Sequence, residues 1–113
     1  MMNYYPFHVG DFLTHTVHLT EHEELIYRRM LDLYYLTESP FKSPEKIARR
    51  VRSDVDTVRG ILDEFFILTD DGLWRNRRAD EEIADFRNHK EAQTRAGKAS
   101  AKARNQKKED ERR

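Results

Sequence analysis

Three histidines come nearest to a metal-binding spacing in this sequence. His15, His18 and His22 recur every three or four residues, which would place them on one face of a continuous helix. However, β-branched residues around His15 favour extended backbone, and a helix cap at Thr20 would fall between His18 and His22. The chain has no cysteine that could complete a zinc site. We therefore expect surface or half-buried histidines and no metal site.

The other residue types that could do chemistry also lack a motif. The glycines are isolated from one another, at Gly10, Gly60, Gly72 and Gly97. This spacing matches no phosphate-binding loop. The serines occur where turns, helix caps or the tail explain them, at Ser39, Ser43, Ser53 and Ser100. Caps, helix dipoles and i,i+4 pairs explain the carboxylates. We expect no enzyme activity and no cofactor, and a carboxylate metal site is the one alternative left open.

The charges are unevenly distributed along the chain. Residues 1–86 carry 11 Lys/Arg and 17 Asp/Glu, whereas residues 87–113 carry 10 Lys/Arg and 4 Asp/Glu. After Phe86 the only apolar residues are alanines, which cannot build a core. We predict a folded domain over residues 1–86 and a basic, helical or partly disordered tail over 87–113. The tail suits a polyanion or an acidic partner, or is an ordinary solvated segment.

The hydropathy of the chain and its first residues predict where in the cell the protein is found. No apolar run approaches the roughly 20 residues that span a bilayer. The start of the chain, MMNYYPFHVGDF, lacks the basic flank and apolar stretch of a signal peptide. We expect a cytoplasmic protein of a bacterial host cell, without membrane contact.

Helix-capping residues predict where the helices of the domain begin. Residues 4–19 predict an extended segment with aromatic side chains that pack on the core. Thr20 and Glu23 form a capping box for a first helix that ends near Thr37. Ser43 caps a second helix with Pro44 in its first turn, and Ser53 caps a third. The tight turn between these last two helices is typical of a helix-turn-helix.

A hairpin follows the third helix. Asp71-Gly72 lies between two apolar runs, which is a strong hairpin signal. A last helix is predicted from about Arg78. We therefore predict a mainly α fold with a small β-hairpin, namely a winged-helix-like domain with an extended basic C-terminal helix.

The first helix is unusually rich in aromatic residues. Tyr35 and Tyr27 do not readily face the same interior as Ile26. Aromatic clusters of this kind are more often core than binding site, but this placement predicts that one side of the helix binds a partner, which could be a second copy of the chain. The predicted partner-binding residues are Tyr27, Tyr34 and Tyr35.

Together these segments resemble a known family. The stretches YYPFHVGDFLTHTVHLTEHEELIYRRMLDLYY and GLWRNRRADEEIADFRNHKEAQTRAGKASAKAR resemble the phage and prophage YdaU-like family, whose function is unknown. Its members resemble the DNA-binding ends of phage replication initiators. The resemblance implies a role near phage DNA replication and assigns no binding residue. Because the chain ends soon after the basic tail, we expect it to lack the region with which a full initiator recruits a loader or helicase.

Basic residues suggest how such a domain would hold DNA. The predicted DNA-binding residues are Lys42, Lys46, Arg49, Arg50, Arg52, Thr57, Arg59, Arg75, Arg77, Arg78, Lys98, Lys102 and Arg104. The third helix is acidic, which disfavours its insertion into the major groove and favours contacts to the phosphate backbone. Alternatively, Arg49, Arg50 and Arg52 pair with the acids of the third helix, and Arg77 and Arg78 pair with acids that follow them.

Three functions remain open from the sequence. The first is a phage-derived accessory protein of DNA replication that binds double-stranded or single-stranded DNA through its backbone. The second is a protein-interaction adaptor, with a phage or host replication protein or a second copy as partner. The third is a transcriptional regulator, which would need base readout. Fold alone does not decide among them.

Overall fold

The structure is a computed structural model that describes residue 2 and residues 4–112, with side chains through residue 97. The elements in chain order are α1 (Val9–Thr16), α2 (Glu21–Thr37), α3 (Pro44–Val51), α4 (Val55–Phe65), β1 (Ile67–Leu68), β2 (Trp74–Arg75) and α5 (Arg77–Arg112). The chain divides into two compact units, unit 1 over Met1–Ile83 and unit 2 over Ala84–Arg113. The sequence-based boundary lies at Phe86. The prediction of a mainly helical fold with a small hairpin and a long C-terminal helix is confirmed.

Helix α1 was not predicted. The sequence favoured extended backbone before Thr20, but Val9–Thr16 is helical. The hydroxyls of Thr14 and Thr16 donate to the carbonyls of Gly10 and Phe12, at 2.9 and 2.7 Å. These bonds to the preceding turn accommodate both threonines in a helix.

The predicted caps of the next two helices are present. The Glu23 backbone N–H donates to Thr20 Oγ1, and the Thr20 N–H donates to Glu23 Oε1, both at 3.1 Å. Helix α2 then ends at Thr37, as predicted. Ser43 Oγ accepts from the Lys46 N–H at 3.3 Å at the start of α3.

The cap of α4 differs from the prediction by one residue. Asp54, rather than Ser53, accepts the Thr57 backbone N–H, at 2.8 Å. Arg52 adopts the left-handed conformation (φ 61°) at the end of α3, and this places Ser53 within the turn. The prediction of Ser53 as the cap was therefore wrong.

The hairpin pairs as the Asp-Gly signal predicted. Strands β1 and β2 are antiparallel, with Ile67 opposite Arg75 and Leu68 opposite Trp74. Gly72 supplies the positive φ, 79°, that the turn requires. Phe41 extends this sheet by one bridge, exchanging two backbone hydrogen bonds of 2.9 and 2.8 Å with Trp74. The start of α3 is thus tied to the hairpin.

The core of unit 1 forms where α2, α3 and α4 meet. The buried hydrophobic side chains are Met2, Ile26, Met30, Tyr34, Tyr35, Phe41, Ile47, Ala48, Val51, Val58, Ile61, Leu62, Phe66, Ala79 and Ile83. The element order agrees with a helix-turn-helix followed by a wing, and the winged-helix assignment stays a prediction. Among the described residues, no helix combines the length and apolar character needed to cross a membrane.

Candidate nucleic-acid interface

Helix α3 presents its cations on one side. Its buried residues Ile47 and Val51 face the core, while Lys46, Arg49 and Arg50 are exposed at the three- and four-residue spacing that shares a helix face. Two further exposed cations flank the helix. We call this set the basic face, which consists of Lys42, Lys46, Arg49, Arg50 and Arg52.

The side chains of the basic face are electrostatically uncompensated. Within the part of the chain that the structure describes, none of the five donates a side-chain hydrogen bond or forms an ion pair. The alternative that these arginines pair with the acids of α4 is therefore contradicted. Unpaired cations on one helix face attract polyanions.

The single basic residue of α4 is paired instead. Arg59 Nη2 lies 2.8 Å from Glu45 Oε1 of α3. The pKa of Glu45 is held below its usual value, first by a backbone hydrogen bond and then by the Arg59 guanidinium. Thr57 donates its hydroxyl to the Asp54 carboxylate at 2.8 Å. Neither Thr57 nor Arg59 is thus a free donor for DNA.

The arginines at the end of the hairpin and just after it are also paired. The ion pairs are Arg75–Asp71 at 3.1 Å, Arg77–Glu81 at 3.3 Å and Arg78–Asp11 at 2.7 Å. A hydrogen bond from Arg78 lowers the pKa of Asp11. The alternative that Arg77 and Arg78 pair with the acids that follow them is confirmed, because Arg77 pairs with Glu81 and Arg78 lies 3.6 Å from Glu82. Arg78 also pairs with Asp11, far earlier in the chain.

The predicted tail residues are only partly described. The backbone at Lys98, Lys102 and Arg104 belongs to α5, and their side chains lie outside the described residues. The structure brings together the five cations around α3 and does not place the tail cations relative to them.

Two of the three predicted partner-binding tyrosines are core residues. Tyr34 is 0% exposed and Tyr35 is 4% exposed. Tyr35 stacks on Tyr5 with ring centroids 3.9 Å apart. The prediction that Tyr34 and Tyr35 face a partner was therefore wrong, because Tyr5 covers Tyr35, and Phe41 and Phe66 pack against Tyr34.

Tyr27 lies at a cleft in unit 1. Its ring stacks on Phe65, with centroids 4.1 Å apart, and on Phe12 at 5.6 Å. We call this space of about 330 Å³, lined by Phe12, Tyr27, Tyr35 and Phe65 among others, the aromatic cleft. Burial raises the pKa of the Tyr27 phenol. The phenol is half-buried and makes no hydrogen bond within the described chain.

The histidines do not converge. His18 contacts Glu64, and His22 Nε2 lies 3.9 Å from Asp54 Oδ1. His15 makes neither a hydrogen bond nor an ion pair in the described part of the chain. No group of three potential ligands suited to a metal ion occurs among the described residues.

One candidate residue was missed at the level of sequence. Arg29 belongs to α2, and its side chain reaches the end of α3, where its Nη1 donates to the Val51 carbonyl at 3.0 Å. Arg29 follows the buried Ile26 by three residues. A cation so close to a core position of a helix is the signal that could have identified it.

Fold and site define a class of protein, a small helical domain with a two-stranded hairpin and one uncompensated cationic helix face. The chain belongs to the family described as protein of unknown function (DUF1376), whose model matches residues 3–84. It is similar to the uncharacterized protein YdaU of Escherichia coli (strain K12), with 33% identity over 109 residues. The predicted resemblance to a YdaU-like family is thereby confirmed.

The family match includes only some of the candidate DNA-binding residues. The alignment covers 94% of this chain and 38% of YdaU, so the chain spans well under half of that relative's length. The family match nearly coincides with unit 1 and includes the whole basic face, whereas Lys98, Lys102 and Arg104 lie beyond it. No solved structure matches the chain.

Proposed function

We propose that this protein is a phage-derived accessory protein of DNA replication that binds DNA through the phosphate backbone, using the basic face. The observation that carries this proposal is the set of five exposed cations around α3 that lack any anionic partner in the described chain. Each phosphate that such a face neutralises releases condensed counterions, which favours binding. Backbone contacts carry no sequence information, and binding is expected to be largely independent of sequence.

The charge of α4 argues for backbone contacts over base readout. Asp56 and Asp63 are exposed and unpaired within the described chain, and Arg59 is engaged by Glu45. An α4 that entered the major groove would bring these carboxylates towards phosphates. The transcriptional-regulator alternative, which requires this helix to read bases, therefore gains no support.

Three variants of equal charge test the proposal. The first replaces Lys46, Arg49 and Arg50 with Gln, the second replaces Lys98, Lys102 and Arg104, and the third replaces the paired Arg59, Arg75 and Arg77. Fluorescence anisotropy with labelled duplex and single-stranded DNA is measured at several salt concentrations. We expect the first variant to lose most affinity, with a salt slope on duplex DNA that is smaller by about 0.9 for each phosphate no longer neutralised.

The same series separates the competing outcomes. Equal losses of DNA affinity in all three variants would show that binding depends only on the net charge of the protein and not on the basic face. A loss confined to the second variant would assign binding to the tail. No binding of the unchanged chain at low salt would refute the DNA-binding proposal.

The second candidate function is a protein-interaction adaptor, and the aromatic cleft favours it. A half-buried tyrosine without a hydrogen-bond partner in the described chain, beside Phe12 and Phe65, suits an apolar side chain of a partner protein or of a second copy. A photo-crosslinking residue at the exposed rim position Ile67 tests this in cells. A protein adduct that disappears with Tyr27→Ala would support the adaptor, and adducts that the substitution leaves unchanged would count against it.

A further inference from the structure

A second space in unit 1 adjoins the basic face. It lies where α2 passes the end of α3 and has a volume of about 270 Å³. Its walls carry three guanidinium groups, two leucines and one carboxylate. We call it the arginine groove, and its lining residues are Arg29, Asp32, Leu33, Leu36, Arg50, Val51 and Arg52.

Arg29 is held in place without being neutralised. Its guanidinium is partly buried and donates one hydrogen bond, to the Val51 carbonyl. In the described part of the chain it has no carboxylate partner. An arginine has five N–H donors in a planar fork, so most of the donors of Arg29 stay available in a fixed orientation.

The single carboxylate of the groove, that of Asp32, interacts with residues outside the groove. Asp32 accepts the Tyr5 hydroxyl and lies 3.6 Å from Arg28 Nε. It therefore offers little compensation to the guanidiniums of Arg29, Arg50 and Arg52. The groove keeps an excess of positive charge.

The end of α3 places the Arg52 side chain at the groove. Arg52 ends α3 in the left-handed conformation, with φ 61°, at the position where helices usually place Gly. A side chain in this conformation costs free energy that Gly would avoid. The arginine adds a third guanidinium to the groove.

We propose that the arginine groove is a seat for one phosphate group of a bound nucleic acid. This inference rests on the proposed function and extends the basic face to Arg29 on α2. Planar guanidiniums bind phosphate oxygens in pairs. The flanking leucines lower the local polarity and so strengthen these charged hydrogen bonds.

Inorganic phosphate tests the groove independently of DNA. The Nε–Hε signals of Arg29, Arg50 and Arg52 are followed by NMR as phosphate is added to the whole chain at constant ionic strength. We expect these three signals to shift and saturate with phosphate and not with chloride. If they do not move, or if a poly-glutamate peptide moves them as strongly at equal charge, the phosphate seat is wrong.

Duplex binding then separates the groove from the proposed function. Arg50→Gln removes an exposed, unpaired charge, Arg29→Lys keeps the charge but loses the planar fork, and Arg77→Gln removes an exposed charge paired with Glu81. We expect Arg50→Gln to lower the salt slope by about 0.9 and Arg29→Lys to weaken binding about tenfold, while Arg77→Gln has little effect.

Circular dichroism and melting of each variant verify that it folds. If Arg50→Gln weakens DNA binding but Arg29→Lys binds DNA as Arg77→Gln does, the groove proposal fails and DNA binding by the basic face stands. If phosphate shifts the three signals but the chain binds no DNA, the anion site is real and the proposed function fails.

Discussion

Tyr34 joins three parts of unit 1 through one hydroxyl group. The phenol donates to the Asp80 carboxylate and accepts the Asn76 backbone N–H at 3.3 Å. Asn76 in turn caps α5, because its Oδ1 accepts the Ala79 N–H at 2.9 Å. A fully buried tyrosine of α2 therefore fixes the junction between the hairpin and the last helix.

Tyr34→Phe should destabilise unit 1. The substitution keeps the ring in the core but leaves the Asn76 N–H without its acceptor. We expect a loss of about 1–3 kcal/mol in the free energy of unfolding, measured by chemical denaturation. Tyr4 is 88% exposed, so Tyr4→Phe is the control and should change stability by less than about 0.5 kcal/mol. Equal stabilities of the two variants would contradict this role of the hydroxyl.

Burial of two other phenols predicts sensitivity to alkali. Burial and then the hydrogen bond to Asp32 raise the pKa of Tyr5 to about 12, and burial and Glu82 raise the pKa of Tyr35 well above its ordinary value. Below about pH 10 both phenols are protonated in the folded and unfolded chain, and their contribution to stability is complete. As pH rises further, the unfolded chain loses these protons first, and stability falls.

Denaturation midpoints from about pH 9 to about pH 11 check this expectation. The midpoint should fall with pH in the unchanged chain. The double variant Tyr5→Phe, Tyr35→Phe should show a shallower fall, because the two titrating groups are absent. An unchanged slope would show that other groups govern the alkaline transition.

At the scale of helices and strands, the sequence predicted those element boundaries that depend on local hydrogen bonds. The capping box of α2, the Ser43 cap of α3 and the Asp-Gly turn each need only neighbouring residues, and the sequence predicted them. Helix α1 was missed because one of the contacts that hold it is with a residue far along the chain. Phe12 stacks on Tyr27 of α2, and this contact, together with the Thr14 and Thr16 hydroxyl bonds to the preceding turn, offsets the extended preference of the threonines.

Two glycines should respond to alanine in opposite directions. Gly60 lies exposed within α4, with open space where an added Cβ would stand, whereas Gly72 has φ 79° in the hairpin turn and equally open space. We expect Gly60→Ala to raise stability by about 0.5–1 kcal/mol and Gly72→Ala to lower it by about 1–2 kcal/mol. Thermal melting measures both. A destabilising Gly60→Ala would show that α4 needs the bare backbone there.

The features of the candidate site also differ in whether local sequence or long-range packing determines them. The sequence identified the cations of the basic face because they recur at helical spacing. It left open whether Arg49, Arg50 and Arg52 are neutralised, because ion pairing depends on how α3 packs on α4. Arg29 and the burial of Tyr35 likewise depend on contacts between residues far apart in the chain.

At the scale of the whole molecule, the hydrophobic core and the basic tail occupy different units. All described buried side chains precede residue 84. Beyond Ala84, the described side chains of unit 2 are exposed apart from the half-buried Phe86. We therefore expect cooperative folding to be a property of unit 1.

A chain that ends at Phe86 should consequently melt like the whole protein. We expect the two melting temperatures to agree within about 5 °C, which for a domain of this size is on the order of 1 kcal/mol. The far-ultraviolet helical signal should fall by the share of residues 87–112. A much lower melting temperature would show that the basic segment stabilises the folded unit.

The bridge between Phe41 and Trp74 has an optical consequence. The chain has a single tryptophan, half-buried and hydrogen-bonded to the residue that precedes Lys42. Its emission therefore reports on the place where the hairpin meets the first cation of the basic face. A polyanion that docks there should alter the wavelength or intensity of that fluorescence, so the protein carries its own unlabelled reporter of occupancy.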